Sequence, residues 1–256
     1  MNADLSMYDF GDLIAANDAW WALIAENLRK RSVDAPEHLT RGQDLWQGWQ
    51  SPELLLSQTC GFPYRARLHG KVLLVGTPDY GVEGCAPGYY RSVFIARTDD
   101  QRGELAAFDG VAIAYNDAMS QSGWAGPQSE AARRAVRLPA GLQTGGHRAS
   151  VHAVAQGRAE IAAVDAVTWR HLQRLDPEAQ AVRVVAMTEP NPGLPLITAI
   201  GRDTGALFSA VSQAIEALPH KQKAVLGIKG LVAIPAADYL AIPTPPAPGE
   251  PRGADA

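Results

Sequence analysis

Ser120, Gln121, Ser122 and Gly123 follow the apolar run Val111–Tyr115, and Gly145 and Gly146 lead into His147 further along the chain. Both segments are glycine- and hydroxyl-rich turns that open a helix. The first N–H groups of a helix lack intrahelical acceptors and carry partial positive charge, so such a turn attracts anions. Hydroxyls, a carboxamide and an imidazole at the mouths of two such turns predict one small oxyanion held by directional hydrogen bonds. The apolar run ending at Asp165 brings a carboxylate to the end of the next strand. Asp165 is either an N-cap for the helix after it or a ligand contact. As a contact it would accept a hydrogen bond only from a protonated oxyanion, an amine or a hydroxyl, and so disfavour fully ionised sulfate. Ser120 and Ser122 carry the same alternative, cap or ligand contact.

No general positive field assists these groups. The chain of 256 residues has a formal net charge of −4, which argues against a general nucleic-acid surface and leaves anion binding to local donors. Hydrophobic residues at 46% and charged residues at 20% describe an ordinary globular chain with enough length for two modest lobes. No apolar run approaches the roughly 18 residues of a membrane span. The start, MNADLSMYDFGDL, has no basic n-region and apolar h-region, so the chain as it stands reads as cytoplasmic, or as periplasmic if an export signal was removed. Cys60 and Cys85 do not have metal or redox spacing; they are small buried thiols, or a disulfide in an exported protein. No metal or cofactor is called for.

The elements around the two turns follow from periodicity. LSMYDF reads as a short strand, and the segment 10–31 as an amphipathic helix with Leu13, Ala16, Trp20, Leu23, Ile24 and Leu28 on its apolar face. The pair Trp20–Trp21 belongs to the core. A strand is expected at Leu54–Ser57, and two β-rich runs, KVLLVGTP and YYRSVFIAR, flank the loop Asp79–Gly88. After Arg97 strands and helices alternate, with a helix from about Ser122, a strand ending at Asp165 and a helix from Thr168, the pattern of an α/β lobe. Prolines and glycines at Pro190, Pro192, Gly193 and Pro195 interrupt two apolar runs, and a last helix is expected at Gly205–Leu218. One α/β lobe inserted in another follows, with residues 1–96 and 190–242 in the first, 97–189 in the second, and a disordered Pro-rich tail, 243–256. Arg148 and His152 are expected at the rim or in solvent.

QTCGFPY, GYYRSVFIAR, YNDAMSQSGW, GGHRASVHAVAQGRAEIAAVD and EPNPGLPLI, in that order, resemble the PhnD-like phosphate/phosphonate-binding proteins of ABC transporters. The resemblance runs from about Met7 to Tyr239. It implies a two-lobed type 2 periplasmic-binding-protein fold, α/β, each lobe a mixed, mostly parallel sheet flanked by helices, with two hinge crossovers. It also implies that Ser120, Gln121, Ser122 and Gly123 supply hydroxyls and N–H groups to the phosphonate or phosphate oxygens and that His147 donates to the same anion. Tyr90 matches the family's hinge-strand aromatic, with hinge packing as its alternative. Gln58 and Thr59 fall in the first-lobe loop that completes the pocket, and Tyr8 is a further candidate wall. The acidic positions that hold an amino group in some members have no clear counterpart, which favours a smaller oxyanion.

These readings predict a non-enzymatic, monomeric solute-binding protein for phosphate, phosphite or a small phosphonate, acting in ABC-type transport or sensing with a permease as partner. The alternative is a cytoplasmic enzyme of the same fold acting on a small anionic metabolite, with His147 and Asp165 as acid and base. A ligand-sensing regulatory module lacks any attached signalling or DNA-binding domain.

Overall fold

The computed structural model describes residues 1–250. Twelve strands occur in the order β1 Asn2–Asp4, β2 Leu54–Gln58, β3 Val72–Asp79, β4 Tyr89–Tyr90, β5 Ser92–Arg97, β6 Ile113–Tyr115, β7 Ala140–Gln143, β8 Ile161–Asp165, β9 Val182–Met187, β10 Asn191–Pro192, β11 Leu196–Ala199 and β12 Gly230–Val232. They serve two compact units. The first comprises Met1–Tyr89 and Pro192–Ala241; the second comprises Tyr90–Asn191 and the segment from Ile242. The crossing segments β4 and β10 pair with each other.

The first unit is built on a five-stranded sheet in the order β1-β2-β11-β3-β12. Its first pair is parallel, and β11, which returns after the excursion through the second unit, runs antiparallel to both β2 and β3. The helix Leu13–Arg29 packs on the helix Thr204–Ala217, and Leu13, Trp20, Trp21, Ile24 and Leu28 are buried along its apolar face. Burying such a stripe, rather than intrinsic propensity, holds most amphipathic helices in place. The expected first strand at LSMYDF is instead a 3-10 turn at Ser6–Tyr8, because Asp4 Oδ1 accepts the Ser6 N–H and bends the chain after β1. Thr204–Ala217 is not the last helix: His220–Leu226 and Ala236–Leu240 follow it. Within this short final helix Tyr239 is buried, its hydroxyl 2.6 Å from Thr77 Oγ1 and donating to the Gly193 carbonyl. Burial pushes its phenol well above the usual range. Cys60 and Cys85 remain unbridged and are partly exposed rather than buried, since both lie at turns outside the sheet.

The second unit has the order β7-β6-β8-β5-β9. β6 lies parallel to β7 and β8, whereas β5 is antiparallel to β8 and β9. β5 had been expected to end the first lobe at residue 96; its backbone instead pairs on both sides within the second unit, which moves the chain crossing back to Tyr89–Tyr90. Ile113, Ala114, Ile161, Ala162, Ala163, Val164, Phe94 and Ile95 are fully buried, so the adjoining central strands read as continuous apolar runs. Residues 243–250 of the expected disordered tail belong to this unit: the Trp124 indole N–H donates to the Pro246 carbonyl at 3.0 Å. The remainder of that tail, 251–256, lies outside the described residues. No helix of the described residues is long and apolar enough to cross a membrane.

Candidate functional site

The first turn identified in the sequence follows β6, and the second follows β7, its parallel neighbour. After Tyr115 the chain passes Asp117, whose carboxylate accepts the Met119 N–H and whose carbonyl accepts the Ser120 N–H. Ser120 is the N-cap, in extended conformation, and its Oγ accepts the Gly123 N–H at 3.0 Å. The helix expected from about Ser122 opens as a π-helical turn, Gln121–Ala125, before becoming α-helical at Gly126–Arg133. The Ser120 carbonyl takes the N–H groups of both Trp124 and Ala125, the widened spacing of a π turn. Such single turns recur at functional sites because they re-aim a helix N-terminus. Glycine fits closely there: a Cβ on Gly123 would sit 1.8 Å from Asn116 Oδ1, so the Asn116 side chain would have to move.

The second turn is tied to the first by backbone. Thr144 N–H donates to the Tyr115 carbonyl at 2.8 Å and Gly145 N–H to the Asn116 carbonyl at 2.9 Å. Gly145 has φ +84°, a region open to glycine at no steric cost, and Gly146 is the extended N-cap of the helix His147–Ala155. Thr144 Oγ1 meets Ser150 Oγ at 2.7 Å and donates to the Gly146 carbonyl, bracing the turn from inside. A 2.8 Å hydrogen bond then joins the two turns through side chains, from Ser122 Oγ to His147 Nε2. Thus Ser120, Gln121, Ser122, Gly123 and His147 form one group. Surrounding protein atoms, which desolvate the imidazolium, push the His147 pKa down to about 4, with the Ala163 carbonyl opposing, so the ring is neutral at pH 7. The group therefore offers hydroxyls, N–H groups and a neutral imidazole, the donor set suited to an oxyanion without a balancing cation.

Asp165 ends β8 and is buried, and its Oδ1 accepts the Thr168 N–H at 2.8 Å. It is the N-cap of the helix Ala166–Leu175. Tyr90 is buried in β4 at the start of the second unit. Arg148 is exposed, as a rim residue should be, whereas His152 is partly buried. Both donate to the buried Asp176, at 2.6 and 2.7 Å, because the helix after His147 runs its polar side along the turn at Pro177–Ala181. Burial would raise the Asp176 carboxyl, but hydrogen bonds from Arg148, His152 and Glu178 N–H prevail and hold it below the usual range.

Tyr8, Gln58 and Thr59 belong to the first unit. The Tyr8 ring stands edge-on to Tyr80, centroids 5.0 Å apart, and Gln58 Nε2 donates to Tyr80 Oη at 3.4 Å and to the Leu194 carbonyl at 3.2 Å. Thr59 follows at the end of β2, its N–H on the Pro195 carbonyl; its hydroxyl is fully buried and has no hydrogen-bond partner among the described residues. Tyr80, the residue on which Tyr8 and Gln58 converge, was missed in the sequence because it lies in a loop far from both along the chain. Thr144 and Asn116 were also missed, although Thr144 immediately precedes the Gly-Gly pair.

Residues 55–239 match the model of a family described as ABC transporter, phosphonate, periplasmic substrate-binding protein. Among solved structures, PhnD1 from Prochlorococcus marinus (MIT 9301) in complex with methylphosphonate superposes with a TM-score of 0.70 at 15% identity, covering 93% of this chain and 94% of that one. A binding protein component of an ABC phosphonate transporter (PA3383) from Pseudomonas aeruginosa gives 0.67 at 18%, covering 94% and 82%. XAC2383 from Xanthomonas citri, solved with bound ATP, gives 0.67 at 17%, covering 89% and 90%. No curated protein sequence matches the chain. The fold is that of the type 2 periplasmic binding proteins. The matched family consists of substrate-binding proteins, which overturns the alternative of an enzyme using His147 and Asp165 as acid and base. The apolar strands, the glycine turns and the match over most of the sequence lead to one conclusion: this chain belongs to the periplasmic substrate-binding protein family of phosphonate ABC transporters.

Proposed function

We propose that this protein binds a small phosphorus oxyanion, a methylphosphonate-sized phosphonate, phosphite or phosphate, for delivery to an ABC permease. The observation that carries the reading is the hydrogen bond between Ser122 Oγ and His147 Nε2, which gathers the donors of two helix openings at one point. Neither Lys nor Arg belongs to that group, so the anion's charge is met by N–H dipoles and hydroxyls. Such directional groups select a tetrahedral oxyanion by the positions of its oxygens. The type of ligand follows the family and the methylphosphonate bound to PhnD1. On the first unit, Tyr8, Gln58 and Thr59 are proposed as further ligand contacts, and Tyr90 on the second.

Isothermal titration with methylphosphonate, phosphite, phosphate and sulfate tests the reading on the wild type and on Ser122→Ala. Hydrogen bonds to a charged group contribute about 1.5–3 kcal/mol, so removing the Ser122 hydroxyl is expected to weaken the preferred phosphorus ligand by about 10- to 100-fold. Absence of heat and of thermal stabilisation with every phosphorus oxyanion refutes the ligand class. An unchanged affinity in Ser122→Ala refutes the assigned site.

A further inference from the structure

The proline-rich segment after Ala241 has a place in the second unit that its composition does not announce. Trp124 is the fourth residue of the π-helical turn that presents Gln121, Ser122 and Gly123, and it is almost wholly buried. Its ring packs at a 55° tilt against Tyr115, the last residue of β6, with centroids 5.1 Å apart. Its indole N–H finds its partner in the Pro246 carbonyl, more than a hundred residues away in sequence. Beyond Pro246 the segment folds on itself: Ala247 N–H donates to the Glu250 carboxylate and Glu250 N–H to the Ala247 carbonyl. A cavity of about 450 Å³ remains beneath it, walled by Trp124, Gln128, Arg137 and Leu138 on one side and by the segment on the other.

We propose that residues 243–250 are a strap that positions the anion-holding turn through Trp124. A buried indole N–H without an acceptor is costly, so the Pro246 carbonyl stabilises the packed orientation of Trp124. The turn is an irregular one, with the Ser120 carbonyl shared between two N–H groups, and it needs outside support to hold one geometry. The strap supplies that support from the side of the turn occupied by Trp124. Proline stiffness makes the docking affordable: Pro243, Pro245, Pro246 and Pro248 restrict the undocked segment, so little conformational entropy is lost when it docks. Trp124 and Pro246 are thereby positioning residues, acting on the ligand through Ser120–Gly123, and this assignment rests on the reading of that turn as an anion wall.

Two full-length variants test it. Trp124→Phe keeps an aromatic ring of smaller size and deletes the donor, and the double change Pro245→Gly with Pro246→Gly keeps every carbonyl and every indole contact of Trp124 with Tyr115 while it frees the segment. Hydrogen exchange of the Gly123–Gly126 amides in unliganded protein reads the turn directly, and titration with methylphosphonate reads its effect on binding. One neutral hydrogen bond corresponds to a factor of about 2–12. Each variant is therefore expected to speed exchange in this turn three- to tenfold and to weaken methylphosphonate by a similar factor, and the two combined should do no more than either alone. Unchanged exchange at Gly123–Gly126 in the glycine variant overturns the strap. So does faster exchange together with unchanged affinity in a protein that binds methylphosphonate. If the wild type binds no phosphorus oxyanion while the variants still speed exchange, the strap stands and the ligand reading fails.

Discussion

Acidification should destabilise this protein through His147 in particular. The imidazole has a pKa of about 4 in the folded chain against 6.5 when unperturbed. Between those values the unfolded chain binds a proton that the folded chain refuses, so stability rises with pH through this window and is lost as pH falls from about 6.5 toward 4. One pKa unit corresponds to about 1.4 kcal/mol, so the whole gap is worth about 3 kcal/mol, of which about 2.5 is already lost at pH 4.5. His147 is partly exposed, and solvent screening reduces that figure to about 1–2.5 kcal/mol. The assay is urea unfolding followed by tryptophan fluorescence at about pH 8 and pH 4.5, for the wild type and for His147→Gln, which keeps a polar group opposite Ser122. Buried carboxylates such as Glu130 and Asp176, both held below their usual range by arginine partners, lose stability on acidification in either protein and cancel in the difference. The wild type is expected to lose about 1–2.5 kcal/mol more than the variant over that interval. Parallel pH profiles would mean that the ring titrates normally, and the desolvated setting assigned to His147 would fall.

Gly123→Ala forces a Cβ to within 1.8 Å of Asn116 Oδ1 and 3.3 Å of the Asn116 backbone nitrogen, so the Asn116 side chain must leave its place. A cost of about 1–3 kcal/mol is expected, and pairing the change with Asn116→Ala should recover at least half of it in a double-mutant cycle of unfolding free energies. Tyr239→Phe removes a fully buried hydroxyl from Thr77 and the Gly193 carbonyl; hydrogen exchange should show the strand at Val72–Asp79 less protected by the equivalent of about 1–3 kcal/mol, while the Ser120–Gly123 turn is unaffected.

The legible part of the fold was its local chemistry. The helix at Leu13–Arg29, the buried run ending at Asp165 and both glycine turns could be read directly, because periodicity and glycine's freedom act over a few residues. Composition alone also settled that any anion must be held without a basic surface. The motif order identified the family, which the family match over residues 55–239 shows. The sequence could not place β5 in the second unit, because its allegiance is decided by backbone pairing with β8 and β9, strands still to come in the chain. His152 reads as a solvated helix residue, yet Asp176, from a later turn, accepts hydrogen bonds from it and from the exposed Arg148. Pro246 looked like part of a disordered tail, because nothing in a proline-rich segment records the distant indole that its carbonyl accepts. Each of these turns on a contact between residues far apart in the chain, whose energy depends on distance and burial that only the folded backbone sets. Ser122 and His147 show the division within one hydrogen bond: their residue types and turns were plain in the sequence, and the folded backbone brought them within 2.8 Å.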